Sequence, residues 1–128
     1  MAWKRLIFLF LFLSSISYAD EIKLNKIIAL EEPWGSTFIN NNELLITEKS
    51  GNIKLINLST QKINKINHNL NVLEYGQGGL LDIIYKENIV WVSYTEKIDG
   101  WKTSTSIARA KFDKENFDFK NIFQAFPP

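Results

Sequence analysis

Tyr75-Gly76-Gln77-Gly78-Gly79-Leu80-Leu81-Asp82 is the stretch on which the reading of this chain turns. Three glycines flank a single glutamine, and an apolar run follows at once. A loop so rich in glycine lets the backbone approach a planar or charged ligand closely. Residues 80–85 then read as a buried strand leaving that loop. Upstream, Pro33-Trp34-Gly35 forms a second landmark.

Outward from the loop, short apolar runs alternate with turn residues. On the N-terminal side the spacing predicts strands over 26–30, 34–39, 44–48, 53–58 and 62–66. They are separated by Pro33, Asn40-Asn41-Asn42, Ser50-Gly51-Asn52 and Ser59-Thr60. Ile53 and Leu55 alternate with Asn52 and Lys54, as in a half-exposed strand. On the C-terminal side, strands are predicted over 80–85, 89–95, 103–112 and 117–123. A turn falls at Lys86-Glu87-Asn88, a polar loop over 97–102, and a turn over 113–116. Ile89-Val90-Trp91-Val92 is β-branched and aromatic, which favours strand over helix. No amphipathic helix is predicted after residue 19. The class is therefore all-β. Two meanders, 34–66 and 78–123, each have the size of a propeller blade, although sandwiches and barrels share the same spacing.

Residues 1–19 read as a signal peptide and 20–128 as the mature domain. Lys4 and Arg5 form a positive start, residues 6–13 an unbroken apolar core, and Ser17-Tyr18-Ala19 a small-residue cleavage site before Asp20. The apolar core is too short for a transmembrane helix. The expected location is exported, in the periplasm, with no membrane span after cleavage. Lys4 and Arg5 are the only charges in the leader, so cleavage leaves thirteen basic and fourteen acidic residues, a net charge of −1. That balance gives no reason to expect nucleic acid or an anionic membrane as partner. The chain has no cysteine, which excludes disulfides, thiolate metal sites and thiol catalysis. No Ser/His/Asp set, phosphate loop or metal-ligand spacing is visible.

Three motifs in order narrow the choice. Leu30-Glu31-Glu32-Pro33-Trp34-Gly35-Ser36-Thr37-Phe38 resembles the opening of the soluble aldose sugar dehydrogenases, the glucose/sorbosone dehydrogenase family that uses pyrroloquinoline quinone. Leu45-Ile46-Thr47-Glu48-Lys49-Ser50-Gly51-Asn52-Ile53 resembles the hairpin that follows in that family, and Gly76-Gln77-Gly78-Gly79-Leu80-Leu81-Asp82 its glycine loop. Ile89-Val90-Trp91-Val92-Ser93-Tyr94 resembles the next strand. The likeness runs from Leu30 to Phe123.

The resemblance implies the first blades of a six-bladed β-propeller, incomplete in this chain. It implies pyrroloquinoline quinone over the central channel, with Gln77, Gly76 and Gly78 as its contacts here. The Gln77 amide offers a donor and an acceptor to a polar heterocycle, and the glycines keep bulk away from its plane. The implied partners are an aldose substrate and an electron acceptor. The implied chemistry is two-electron oxidation at the anomeric carbon, with a histidine as general base. The family's histidine lies in an H-x-G-G-R motif, and the chain stops at Pro128 just short of its expected place. Calcium belongs, by the same resemblance, to the full-length protein, with no ligands in this chain. Six blades of about 40–45 residues need roughly 250 residues, more than twice the mature length, so the expectation is an N-terminal fragment inactive by itself.

Other residues are read more plainly. His68, the single histidine, matches no family motif and is read as a surface residue in a polar loop. Trp34 and Trp91 lie in strand patterns and are read as core, whereas Trp101, beside Asp99-Gly100, is the better candidate for a rim contact. Asp82 receives no catalytic role, and Glu31-Glu32 and Asp113-Lys114-Glu115 read as solvated turn charges. The alternative to a dehydrogenase is a non-catalytic sugar- or protein-binding propeller-like module, or an inactive remnant.

Overall fold

The computed structural model describes residues 22–100 and 102–126, and none of these is helical. Four strands, β1 (Pro33–Asn40), β2 (Glu43–Glu48), β3 (Ile53–Asn57) and β4 (Lys62–His68), form an antiparallel meander. A second meander runs through β5 (Leu80–Lys86), β6 (Ile89–Asp99) and β7 (Lys102–Lys111). Between β7 and the last strand lies a short β8 (Asn116–Phe117), and β9 (Lys120–Gln124) completes the second sheet beside β7. These are two blades standing face to face, one of four strands (β5-β6-β7-β9) and one of four strands with β8 added at its outer edge.

The turns form for local reasons. The Asn40 side-chain oxygen accepts the N–H groups of Asn42 and Glu43 at 2.9 and 3.0 Å, closing β1 onto β2. Glu87 and Asn88 both have positive φ, 50° and 64°, the geometry of a two-residue hairpin whose twist matches its strands. Alternation then sorts the side chains. Leu45, Ile53, Leu55 and Ile66 of the first blade meet Leu80, Val90, Val92, Tyr94 and Ala108 of the second in one buried core. On the outward faces, Phe38, Ile84 and Phe123 remain exposed.

The blades are joined at both edges. At the inner edge, β1 and β5 each carry a bulge, at Trp34-Gly35 and at Leu81-Asp82, where two residues oppose one. The two bulges touch: a methyl group at Gly35 would lie 2.8 Å from Asp82 Cα and 2.9 Å from Ile83 N. Further along, the Tyr85 N–H donates to Thr37 Oγ1 at 3.2 Å. At the outer edge the chain leaves β7, pairs β8 in parallel with the end of β4 through Asn67↔Asn116 and His68↔Phe117, and returns as β9. Asn69 fastens this excursion, accepting the Phe119 N–H at 2.8 Å and donating to the Phe119 carbonyl at 3.1 Å. Phe117 and Phe119 fill the core beneath it, their rings 5.4 Å apart.

Four expectations are corrected. Residues 26–30 form no strand: Ile27 is exposed, and among the described residues no strand takes up the backbone N–H and C=O groups of that segment. The expected loop over 97–102 is mostly strand. Glu96 and Lys97 pair with Ser104 and Thr103 and Asp99 with Lys102, and Gly100 turns at φ 52°. The expected strand over 117–123 is divided between the two sheets, because Phe117 and Phe119 point into the core and hold the chain off the β7 edge. Trp34 is not core. It is 52% exposed, since the bulge at the start of edge strand β1 turns it outward. Trp91 is half-buried on the outward face of β6.

Candidate functional site

One end of the blade pair collects the polar side chains. There β2, β4 and β6 finish and β1, β3, β5 and β7 begin. The glycine loop crosses this end from the first blade to the second. A Gly78 N–H to Tyr75 carbonyl bond of 2.8 Å closes a tight turn, with Gly76 at φ 56° in the first central position. Nothing lies within 4 Å of where a Gly76 side chain would begin. Gln77, the next residue, is exposed at the tip, and no described residue hydrogen-bonds its amide.

The loop's base is fixed on both sides. The Thr95 N–H donates to the Gly79 carbonyl at 2.8 Å, and the Gly79 N–H to Thr95 Oγ1 at 3.2 Å. A Gly78 side chain would start 2.7 Å from Thr95 Oγ1. On the other side the Leu80 N–H donates to the Lys49 carbonyl at 3.0 Å. Gly79, at φ 154°, lies against that carbonyl so closely that a side chain would collide with backbone. A concavity of about 550 Å³ opens beside the loop, lined by Leu73, Tyr75, Thr95 and Thr103. Gln77 does not line it. The sequence-predicted contacts Gly76, Gln77 and Gly78 thus form one turn, with the amide outermost.

Below the loop lies a junction that sequence reasoning missed. Thr47 is fully buried; its hydroxyl accepts the Gly35 N–H at 2.9 Å and donates to the Leu81 carbonyl. Glu48 is also fully buried, and its carboxylate accepts the Glu31 N–H at 2.8 Å, Lys54 Nζ at 2.6 Å and Asn52 Nδ2 at 3.1 Å. Burial alone raises the Glu48 carboxyl, but the bonds from Lys54, Glu31 and Asn52 outweigh it and hold the group below its ordinary value. The sequence marked the strand end but not its partners. Thr47 and Glu48 end an apolar strand, and Thr47 shares the inward face with Leu45. The three motifs quoted above therefore meet at one place, through Gly35, Thr47 and Leu81.

The second blade carries its own carboxylate cluster. Glu96 accepts bonds from Ser106 at 2.6 Å, from Asn121 at 2.9 and 3.0 Å, and from Gln124 at 2.9 Å. Burial raises the Glu96 carboxyl, yet the bonds from Ser106, Gln124 and Asn121 together keep it below its ordinary value. The Tyr94 hydroxyl donates to Asn121 at 2.8 Å. These side chains tie β9 to β6 and β7.

His68 is not a surface residue of a loop. It ends β4, half-buried, with Nε2 2.6 Å from the Gly51 carbonyl and its ring against Phe119. Nδ1 accepts the Leu70 N–H at 3.3 Å, so Nε2 carries the proton and donates. Both nitrogens are engaged in holding the fold. Asp82 accepts the Ile83 N–H at 2.9 Å within its bulge. The Glu31 and Glu32 side chains are exposed, but their backbones are used: the Lys49 N–H donates to the Glu32 carbonyl at 3.1 Å. Among the described residues no three His, Cys, Asp or Glu side chains cluster as metal ligands. Trp101 and residues 1–19 lie outside the described residues.

The comparisons agree with this architecture. Aldose sugar dehydrogenase YliI of Escherichia coli (strain K12) is 26% identical over 107 residues, covering 77% of this chain and 29% of that protein. A crystal structure of a glucose dehydrogenase superposes with a TM-score of 0.70 at 29% identity, over 77% of this chain and 31% of the other. The PQQ-bound aldose sugar dehydrogenase of Streptomyces coelicolor shares the fold, with a TM-score of 0.68 at 21% identity, over 81% and 34%. The chain thus spans about three tenths of the length of the relatives it matches, and its two blades are part of a β-propeller. The family model described as Glucose / Sorbosone dehydrogenase matches residues 30–128, and the chain belongs to that family.

Proposed function

We propose that these two blades belong to an exported, quinone-dependent aldose dehydrogenase, and that the 76–79 loop supplies one edge of its cofactor site. The observation that carries this reading is Gln77: an amide without a described partner, held at the tip of a turn whose base is fastened to Thr95 and Lys49. Pyrroloquinoline quinone is planar and rich in oxygen acceptors and carboxylates. The Gln77 N–H donors and carbonyl suit its edge, and the open space at Gly76 admits a flat ring system. The residues present fit that part of the group. When bound, the quinone accepts the two electrons and the hydrogen taken from the anomeric carbon of the aldose.

The chain's own contribution is to bind and orient. Its one histidine is committed to Gly51 and Leu70, so the general base comes from elsewhere in the enzyme. We therefore propose that this chain alone does not oxidise sugar, and that the electron acceptor meets other blades. Residues 1–19 act as an export signal, cleaved before Asp20, with the periplasm as destination; intact-mass analysis of protein from the export compartment checks this. The cofactor reading is tested by titrating pyrroloquinoline quinone into the chain and following its absorbance and fluorescence. The expected result is saturable binding, weakened at least about tenfold in Gln77→Ala, the effect of losing hydrogen bonds worth about 1.4 kcal/mol. Equal binding by both proteins, or none by either, removes Gln77 from the site.

A further inference from the structure

We infer that Glu48 is a positioning residue for the 76–79 loop, acting through the Lys49 peptide. The inference builds on the proposed role of that loop, but its geometry stands apart from any ligand. The Glu48 carboxylate gathers donors from three separate segments: Glu31 before β1, Asn52 in the β2–β3 turn, and Lys54 on β3. The turn is closed by the Glu48 N–H on the Asn52 carbonyl at 2.8 Å and the Gly51 N–H on the Glu48 carbonyl at 2.9 Å.

Held between these ties, the Lys49 peptide is gripped at both ends. Its N–H donates to Glu32, whose backbone takes a left-handed φ of 42° to receive it. Its carbonyl is thereby aimed at the Leu80 N–H, the first amide after the glycine loop, with Gly79 pressed against the same oxygen. A buried carboxylate is a costly way to fill a strand end. A buried ion pair by itself adds little net stability. What the carboxylate adds is a fixed direction for three chain segments at once, and that direction passes through Lys49 and Leu80 to Gln77.

Amide hydrogen exchange on the 128-residue chain and on Glu48→Gln tests this. The Leu80 and Thr95 amides, which bond to Lys49 and Gly79, report on the loop base. The Val92 amide reports on the centre of the second blade. Local opening predicts that exchange at Leu80 and Thr95 rises at least about tenfold in Glu48→Gln while Val92 stays within about twofold. A rise shared equally by Leu80 and Val92 overturns the proposal, since Glu48 then supports the fold in general; so does no change at Leu80. Lys54→Met gives an independent reading. It leaves Glu31 and Asn52 on the carboxylate and should speed Leu80 less than Glu48→Gln does, again sparing Val92; an equal rise at Val92 counts against the role. Titration of the unaltered chain with pyrroloquinoline quinone separates the two readings. A selective rise at Leu80 without quinone binding leaves Glu48 as positioner and removes the cofactor reading. Quinone binding with Leu80 unmoved does the reverse.

Discussion

Replacing Gly35 by alanine measures how tightly the inner edges of the blades are pressed together. The new methyl group would stand 2.8 Å from Asp82 Cα and 2.9 Å from Ile83 N, both backbone atoms that no rotamer change can move aside. Ordinary contact needs about 3.5–4.0 Å, so β1 and β5 must part by close to an ångström. Overpacking of this kind costs about 1–3 kcal/mol. The shift also stretches the Gly35 N–H bond to Thr47 and the Thr47 bond to Leu81, a further loss of about 1 kcal/mol. Against this, alanine restricts the unfolded chain and returns about 0.4–1 kcal/mol. The net expectation is a loss of about 2 kcal/mol, a fall in Tm on the order of 10 °C for a domain this small. Gly76→Ala is the control. Its methyl group meets nothing, and only the positive φ, worth about 1–2 kcal/mol, opposes it. Urea unfolding followed by tryptophan fluorescence reads both. A Gly35→Ala loss below about 0.5 kcal/mol, within the range of ordinary surface substitutions, would refute the close-contact argument.

Two further outcomes are expected. Phe117→Ala empties a fully buried site beneath the β8 excursion and should cost about 3–5 kcal/mol by urea unfolding, with β9 amides losing protection along with β4. The Glu48 and Glu96 carboxyls sit below their ordinary value of 4.5 in the folded chain, so the stability they contribute is complete above that value and is lost as pH falls through their lower folded values. Stability measured from pH 7 to pH 3 should be flat and then fall, and Glu48→Gln should make the acid limb shallower.

The hairpins were legible because their turns are written in local residues. Asn40, Gly51 and the Glu87-Asn88 pair end strands by their own backbone and side-chain preferences. The family motifs located the glycine loop, and residues 75–78 form a turn there. What sequence could not show is which strand lacks a neighbour. Residues 26–30 are apolar enough for a strand but find no pairing strand among the described residues, and Trp34 lies on an edge rather than between sheets. Nor could it show that Phe117 and Phe119 belong to a core built mostly by residues far earlier in the chain. The buried roles of Thr47 and Glu48 were hidden for the same reason. Their partners Leu81, Gly35 and Glu31 come together only once two strands meet at their bulges.

The parallel pairing of β8 with β4 also sets a timetable. In most repeat proteins each unit touches only its neighbours, and an early unit can settle before the next is made. Here the first blade stays without its outermost strand until Phe117 exists, 49 positions after His68, its partner in the register. At ribosomal rates of about 5–20 residues per second, the edge of β4 stands open for roughly 2–10 s during synthesis. Lys62 and Lys65, both exposed on that strand, are the kind of charge that discourages a stray strand from pairing there while it waits.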